Sequence, residues 1–446
     1  MRNKDAVMTR HYSVLGVGLG PFNLSAAALL APHTQTISSL FVEQKPRFAW
    51  HPGLLLDDAK MQTSYLKDMV TAVDPTSPYT FINYLVKTKK FYPFTARGEQ
   101  TVSRLEFSDY MAWVAHQLPN TQFDTPVINI TPHGSGFAVN TPHGQLTCDH
   151  LIVGTGTQPF MPDCAAPFVG DQVFHASELA LRQPDLKGKK VAIVGGGQTG
   201  ADVFQHLFDG EFGKVAHIDW ISRRPNLQGL DENPFTDQYF IPDYAEQFHS
   251  LDPKIKHTQL AQQKLASDGI TDDCLQGLYQ RLYHDKYVRR SPQWWRLLPG
   301  QTLTGMQSHQ AGYQLATTAT LTGVTTALDA EVVILCTGFS RALPQCLDTL
   351  SDHLDLDDEG RPNVNAHYRV KMREDSSLAL YMMNVGTHCH GIIEPQLSLA
   401  AWRAATIINA ISDTPLYDIT HHHGLLDWTL TESSTQSAQM QKVAGW

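Results

Sequence analysis

Two glycine-rich turns, each set between an apolar strand and a helix start, predict an α/β chain with two dinucleotide-binding Rossmann-like domains and a small, mostly helical region attached. The first turn is YSVLGVGLGPFNL, residues 12–24; the second is KVAIVGGGQTG, residues 190–200. Two further apolar runs ending in glycine, LIVGTGT at 151–157 and AEVVILCTGF at 330–339, read as buried strands of the same sheets. A chain of 446 residues fits two or three domains.

In the first unit Tyr12–Leu15 is strand-like, and Gly16, Gly18 and Gly20 allow a tight turn. Asn23–Leu30, rich in Ala and Leu, is helical. Strand, turn and helix N-terminus together make a site for a diphosphate. The last glycine of the usual fingerprint is Pro21, which suits the first turn of a helix because its missing N–H is not needed there. Pro21 and Asn23 are therefore grouped with the glycines as cofactor contacts. Glu43 follows the strand-like run Ile37–Val42, where an acid can accept hydrogen bonds from a ribose 2′-hydroxyl.

Phe48–Ser64 contains Trp50-His51-Pro52-Gly53, which cannot be a helix interior, and reads as a loop covering the cofactor. Tyr79–Lys87 is a short helix. Arg104–Gln117 is a core-packing helix, with Leu105, Phe107, Tyr110, Met111 and Val114 at helical spacing. Val127–Val139 and Gln145–Leu151 are read as the two strands of a hairpin.

Gly195, Gly197 and Gly200 fill all three positions of the second fingerprint, with Gln198 inside the turn and a helix start at Ala201–Leu207. After the strand Ala216–Ile221 comes Arg223-Arg224, where an acid would select NAD. Two arginines suit a 2′-phosphate; a solvated basic turn is the plain alternative. Glu43 and the arginine pair ask for different riboses, so FAD at the first turn and NADPH at the second is the economical reading. Residues 228–257 are rich in Gly, Pro, aromatics and acids, among them Asp231, Glu232, Asp237 and Asp243. Gly269–Tyr287 is helical, small strands fall between Leu303 and Val324, and Ala330–Phe339 is a buried strand ending at Gly338. Tyr381–Val385 is a short strand, His388–Arg403 runs from loop into helix, and the residues from Thr429 are polar and loose.

The net charge of −10 argues against a nucleic-acid partner. Six scattered cysteines without a CxxC pair suit a reduced, cytoplasmic protein. The N-terminus has no apolar core of signal-peptide length, and no apolar run is long enough to span a membrane.

Six segments in order resemble the flavin-dependent N-hydroxylating monooxygenases, which act on the side-chain amine of lysine or ornithine, or on one amine of a diamine, in siderophore biosynthesis. They are GVGLGPFNL (16–24), WHPGLLLDDAKMQTSYLKD (50–68), DPTSPYTF (74–81), GGGQTG (195–200), CTGF (336–339) and HGIIEPQLSLAAWR (390–403). The likeness runs from about Tyr12 to Leu426. Glycine fingerprints alone would admit disulfide reductases and Baeyer–Villiger enzymes, but neither the CxxC of the first nor the FxGxxxHxxxW of the second is present.

The resemblance implies FAD reduced by NADPH, O₂ taken up as a C4a-hydroperoxyflavin, and oxygen transfer to a neutral amine. A free alkyl amine titrates near 10.4, so the site must hold it partly desolvated and exclude water. By the same resemblance Gln62 lies near flavin and nicotinamide, and Lys67 contacts a substrate carboxylate. Trp50, His51 and Pro52 line the flavin face, and Ser398 and Leu399 lie where the closing helix approaches it. Gly338 belongs to the CTGF segment.

Two departures bear on the substrate. Asp237 stands where amino-acid users tend to carry the Asn that helps hold the carboxylate, and Lys286-Tyr287-Val288 replaces the Asn-Tyr-Ser of the ornithine branch. A carboxylate at 237 repels a substrate carboxylate and attracts a distal ammonium. The expectation is a diamine, cadaverine or putrescine, with L-lysine N6-hydroxylation the alternative and L-ornithine N5-hydroxylation less favoured. Retained Lys67 argues for the amino acid. A non-catalytic NADP-sensing flavoprotein and a thioether or carbon monooxygenase are the rivals. The expected domains are 1–170 (FAD, first part), 171–330 (NADPH, with a substrate-binding insertion at about 228–300) and 331–446 (FAD, second part, with the C-terminal helix). A homo-oligomer, dimer or tetramer, is expected from the family.

Overall fold

The computed structural model describes residues 10–428 except 58, 375 and 421–423. The tail expected to be loose from Thr429 lies outside the described residues.

The first sheet has seven strands. Thr121–Gln122, Ser39–Val42, Arg10–Val17, Gly144–Val153, Gly136–Thr141 and Asn129–His133 follow one another across it, and Ala379–Met382 pairs with the far half of Gly144–Val153. Arg10–Val17 is parallel to both neighbours, with Leu15 opposite Leu40 and Leu151. Strands covered on both faces read as continuous apolar runs, which is why this one was visible in sequence. The strand expected over 127–139 is instead two, Asn129–His133 and Gly136–Thr141, because Gly134 turns the chain at φ 60°.

The second sheet is wholly parallel, ordered Trp295–Pro299, His217–Ser222, Lys190–Val194, Val332–Leu335, Val173–His175. Val332–Leu335 therefore belongs to this sheet, and the chain re-enters the first sheet at Ala379–Met382. An antiparallel meander, Gln301–His309, Gly312–Ala319 and Thr325–Ala330, follows Trp295–Pro299. Between His217–Ser222 and Trp295–Pro299 lie the helices Pro242–Ser250, Pro253–Gln262, Lys264–Asp268 and Asp272–Tyr283, closed by a π-helical turn at His284–Val288.

All ten residues of the helix Pro21–Leu30 are buried. Its small Ala26, Ala27 and Ala28 admit the C-terminal helix Ala400–Ile411 at close range, and both join one core with Phe81, Phe107 and Tyr110. Fully burying a leucine such as Leu24 stabilises by roughly 1.5–3 kcal/mol, so this packing fixes where the first glycine turn sits. Among the described residues no helix is long and apolar enough to cross a membrane.

Candidate active site

The first turn has the shape a diphosphate needs. Gly18 has φ 82°, and a Cβ there would lie 2.7 Å from the Gly154 carbonyl oxygen. Only glycine allows both the backbone and the contact. Gly20 is the N-cap of Pro21–Leu30 and no side chain caps that helix, so its first-turn N–H groups are open to an anion. Gly16 lies under the ring of Phe41 and is buried in the strand. Glu43 Oε2 accepts from the Leu19 N–H at 2.8 Å and Oε1 from the Lys45 N–H at 3.0 Å. It thereby ties the strand end to the turn, with lone pairs left for a ribose hydroxyl. Asn23 corrects the expectation. It is fully buried, and its amide nitrogen donates to the carbonyls of Val17 and Gly18, so it shapes the turn from beneath and has no surface for a cofactor.

At the second turn a Cβ on Gly195, φ 132°, would meet the Cys336 carbonyl oxygen at 2.0 Å, whereas one on Gly197 would point into open space. The helix Gln198–Asp209 again has a glycine N-cap and no capping side chain. Gly200 packs on Gly195 and on Trp220, whose Nε1 donates to the Gly195 carbonyl at 2.7 Å. Arg224 Nη2 donates to the Asp268 carbonyl at 2.7 Å, while Nη1 is buried without a partner. Burial lowers its pKa, with Arg223 adding to the effect. Such an orphaned guanidinium edge fits a phosphate. Arg223 is exposed beside it. The half-buried Gln198 side chain turns to the protein: its Nε2 donates to Asp202 one turn along the same helix at 2.7 Å, and its Oε1 accepts from the Thr271 N–H at 2.9 Å, bracing the helix to the insertion. The Gly338 carbonyl accepts from His175 Nε2 and the Phe160 N–H.

Two adjoining cavities share Gln62, Thr63 and Gln396, and Thr199, next to the second turn, lines the first of them. The first, about 240 Å³, is walled by Trp50, His51, Met61, Arg104, Thr199, Phe339 and Leu397, among others. His51 holds a left-handed φ of 43° and sets its ring against Trp50 and Phe339 at 5.6 and 5.5 Å. A non-glycine residue there costs on the order of 1–3 kcal/mol and persists only where neighbours enforce it. The ring opens onto the cavity yet is crowded by protein. That burial, with Arg104 and Lys45 nearby, pushes its pKa down to about 4, so it is neutral near pH 7.

The loop carrying Gln62 is pinned by Met61 N–H to Val102 and Arg104 N–H to Ala59. Ser103 Oγ accepts from the Glu106 N–H at 3.1 Å and starts the helix Arg104–Gln117 in register. Arg104 was not singled out in the sequence. The Ser103–Glu106 spacing signals a helix start but not which way the next side chain turns.

The second cavity, about 280 Å³, brings together Gln62, Lys67, Asp237 and Ser398 with Asp231, Glu232, Asn233, Thr236 and Phe240. Lys67 precedes Asp68, a buried carboxylate that accepts from the N–H groups of Val70, Thr71 and Phe81 and from the Thr71 hydroxyl, fixing the chain there. Asn233 Oδ1 accepts from the N–H groups of Phe235 and Thr236 and starts the short helix Thr236–Phe240 that carries Asp237. Glu232 is pushed up by burial, then by Asp272, Asp273 and Asp237, so this wall is short of positive charge. Ser398 Oγ is buried without a partner.

Two expected residues are elsewhere. Lys286 is exposed and lines neither cavity. The π-helical turn directs its neighbour Asp285 inward, to Ser291, Trp294 and Trp295, and leaves Lys286 outside, its Nζ 5.5 Å from the Tyr287 ring centre. Leu399 is buried in the core beneath the cavities.

A family model described as L-lysine 6-monooxygenase/L-ornithine 5-monooxygenase matches residues 10–341. The L-lysine N6-monooxygenase of Escherichia coli is 42% identical over 423 residues, 94% of this chain and 99% of that protein. A putrescine N-hydroxylase of Shewanella oneidensis is 30% identical over 419 residues, 92% of this chain and 82% of that protein. The FAD-bound crystal structure of a cadaverine monooxygenase from Erwinia amylovora superposes with a TM-score of 0.88 at 25% identity, covering 95% of this chain and 99% of that one.

Proposed function

Because the chain belongs to the L-lysine 6-monooxygenase/L-ornithine 5-monooxygenase family, we propose that the amine it hydroxylates is the side-chain amine of L-lysine. It is an NADPH-dependent flavin N-monooxygenase of siderophore biosynthesis. Bound FAD, reduced by NADPH, would activate O₂, one atom of which goes to the amine nitrogen while the other leaves as water with the two electrons that NADPH provides.

The observation that carries the lysine reading is that Lys67 lines the same cavity as Glu232 and Asp237. At neutral pH lysine has an α-carboxylate and an α-ammonium next to each other. A cation and an anion in one cavity can pair both, and only an amino acid uses both. A diamine would leave Lys67 facing another cation. The diamine reading keeps support from the acids Asp231, Glu232 and Asp237 on one wall. Putrescine and cadaverine users are also among the similar proteins.

In this assignment Gly18, Gly20 and the helix start behind them hold the FAD diphosphate, with Glu43 on the ribose. Gly195, Gly197 and Arg224, flanked by Arg223, hold NADPH. Gln62, common to both cavities, lies between nucleotide and substrate. Trp50, Phe339 and Leu397 keep water from the reacting nitrogen, which must be neutral to offer its lone pair. No side chain has to move a proton during oxygen transfer itself.

An amine panel of L-lysine, L-ornithine, cadaverine and putrescine, with mass detection of the N-hydroxy product, tests the proposal. Lysine is expected to give the highest kcat/KM for product. A tenfold lead for cadaverine would overturn the lysine assignment and install the diamine.

A further inference from the structure

The short helix Thr236–Phe240 has two occupied sides. Thr236, Asp237 and Phe240 line the second cavity. The intervening residues are held from elsewhere, by Gly424–Trp428 near the end of the described chain. The Leu425 N–H donates to Gln238 Oε1 at 3.0 Å. Trp428 lies face to face with Tyr239, ring centres 5.4 Å apart and planes at 26°, and meets Tyr244 at 4.9 Å and 60°. Tyr239 and Tyr244 also touch each other at 4.9 Å, so the three rings close a cluster. Gly424 lies so near Gln238 and Ile241 that a Cβ there would come within 2.5 Å of Gln238 Oε1 and 2.6 Å of Ile241 Cδ1.

A five-residue helical turn supports little structure of its own. Its inner face carries Asp237 into the cavity; Asn233 Oδ1 holds its first turn through the Phe235 and Thr236 N–H groups, and Phe240 packs on the core at its far end. The contacts on its outer face fall on Gln238 and Tyr239, directly after Asp237, and so bear on how firmly Asp237 is presented. We infer that Gly424–Trp428 is a positioning strap for the substrate wall, and that Trp428, acting through Tyr239 and Tyr244, sets the affinity for the amine without touching it. Aromatic contacts of this geometry add to the area they bury, so removing the Trp428 ring loosens the turn from outside. The inference rests on the second cavity being the amine site.

The test is steady-state product formation and stopped-flow flavin reduction in holoenzyme carrying Trp428→Ala or Trp428→Phe. Trp428→Ala is expected to raise the KM for L-lysine at least fivefold. kcat for the N-hydroxy product and the rate of flavin reduction by NADPH stay within twofold of the unaltered enzyme. Trp428→Phe, which keeps a ring between the two tyrosines, brings KM back to within twofold. Should the alanine protein fail to fold, Trp428→Leu, with volume but no flat ring, reads the same split. An unchanged KM in the alanine or leucine variant overturns the strap. So does a fall in kcat, flavin reduction and thermal midpoint together, because that marks a general fold role. If the unaltered chain oxidises NADPH yet makes no N-hydroxy product from any amine, the monooxygenase assignment fails instead. The strap is then read as the L-lysine Kd by calorimetry in the same variants, with the same fivefold rise required.

Discussion

Lys67 and Asp237, brought from the loop after the first βαβ unit and from the insertion of the second, line one cavity. Opposite charges in one cavity suit a substrate that carries both signs close together. Lys67→Met is expected to lower kcat/KM for lysine by roughly 10- to 100-fold, since losing a charge-assisted bond to a carboxylate costs about 1.5–3 kcal/mol. Cadaverine, with no carboxylate, should lose nothing and gain relative to lysine. Asp237→Asn should weaken both, cadaverine more. Product formation is the quantity to measure, because peroxide leakage consumes NADPH without hydroxylation. Equal losses for lysine and cadaverine on Lys67→Met would remove Lys67 from carboxylate recognition.

On the assignment proposed above, the nucleotide preference would rest on Arg224 more than on Arg223. Arg224 is half-buried with a free Nη1 edge already aimed by its bond to Asp268, whereas Arg223 is exposed and screened. Arg224→Ala is expected to raise the KM for NADPH by about tenfold or more, in line with about 1.5–3 kcal/mol for a charged hydrogen bond, and to leave NADH almost unaffected. Arg223→Ala should cost several-fold less. Flavin reduction rates against each nucleotide measure both. An equal response to NADPH and NADH in the arginine variants and the native chain would place the 2′-phosphate elsewhere.

Both glycine turns were legible because their signals are local: an apolar strand, glycines at fixed spacing, a helix start. What local pattern does not carry is the direction a polar side chain takes. Asn23 and Gln198 stand within fingerprint segments, yet both side chains turn to the protein itself: the Asn23 amide nitrogen goes to the Val17 and Gly18 carbonyls, with Oδ1 buried without a partner, and the Gln198 amide goes to Asp202 and Thr271. Lys286 fell outside the cavities because a π-helical turn changes which residues face inward, and helical periodicity at 3.6 does not foresee that. Arg104 enters the first cavity only through the tertiary pinning of residues 59–61. The meeting of Gln62, Lys67, Asp237 and Ser398 was expected from likeness to a family, not from spacing.

Arg403 and Glu394 make a pair at 3.6 Å with both side chains fully buried. Arg403 also donates to the Glu394 and Ile393 carbonyls at 2.9 and 3.2 Å and lies 4.5 Å from the centre of the Phe22 ring, in the helix behind the first glycine turn. The pair thus joins that helix to the segment from Pro395 to Ser398 that lines both cavities. Arg403→Met strands a buried carboxylate and is expected to cost about 3–5 kcal/mol in urea unfolding. Adding Glu394→Gln removes the stranded charge and should recover a good part of that loss. Additive losses in the double variant would mean the two side chains do not act as a pair.

Five buried or half-buried histidines are held below their ordinary pKa by burial: His150, His175, His249, His388 and His390. Each is neutral in the folded chain where the unfolded chain already takes up a proton. Stability from this source is whole above the ordinary value of 6.5 and falls as pH drops below it. Asp68, Asp202 and Glu232, raised by burial, bind protons first in the folded chain and oppose the loss at lower pH. The fall is therefore expected to set in as pH drops through the ordinary value of about 6.5, with each histidine kept neutral adding up to about 1.4 kcal/mol per pH unit. His390 is the group to change. It stacks on Tyr368 at 4.1 Å and on His249 at 4.7 Å, with Nε2 3.1 Å from the Asn365 carbonyl, so a proton placed there meets buried rings and Arg403. His390→Phe keeps the stack and removes the site of protonation. It should lower stability at pH 7.5, through the bond lost to Asn365, by about 1 kcal/mol. It should also flatten the decline toward pH 5. Urea titrations across that range would show the change in slope, and a decline as steep as in the native chain would assign the acid sensitivity to the other histidines.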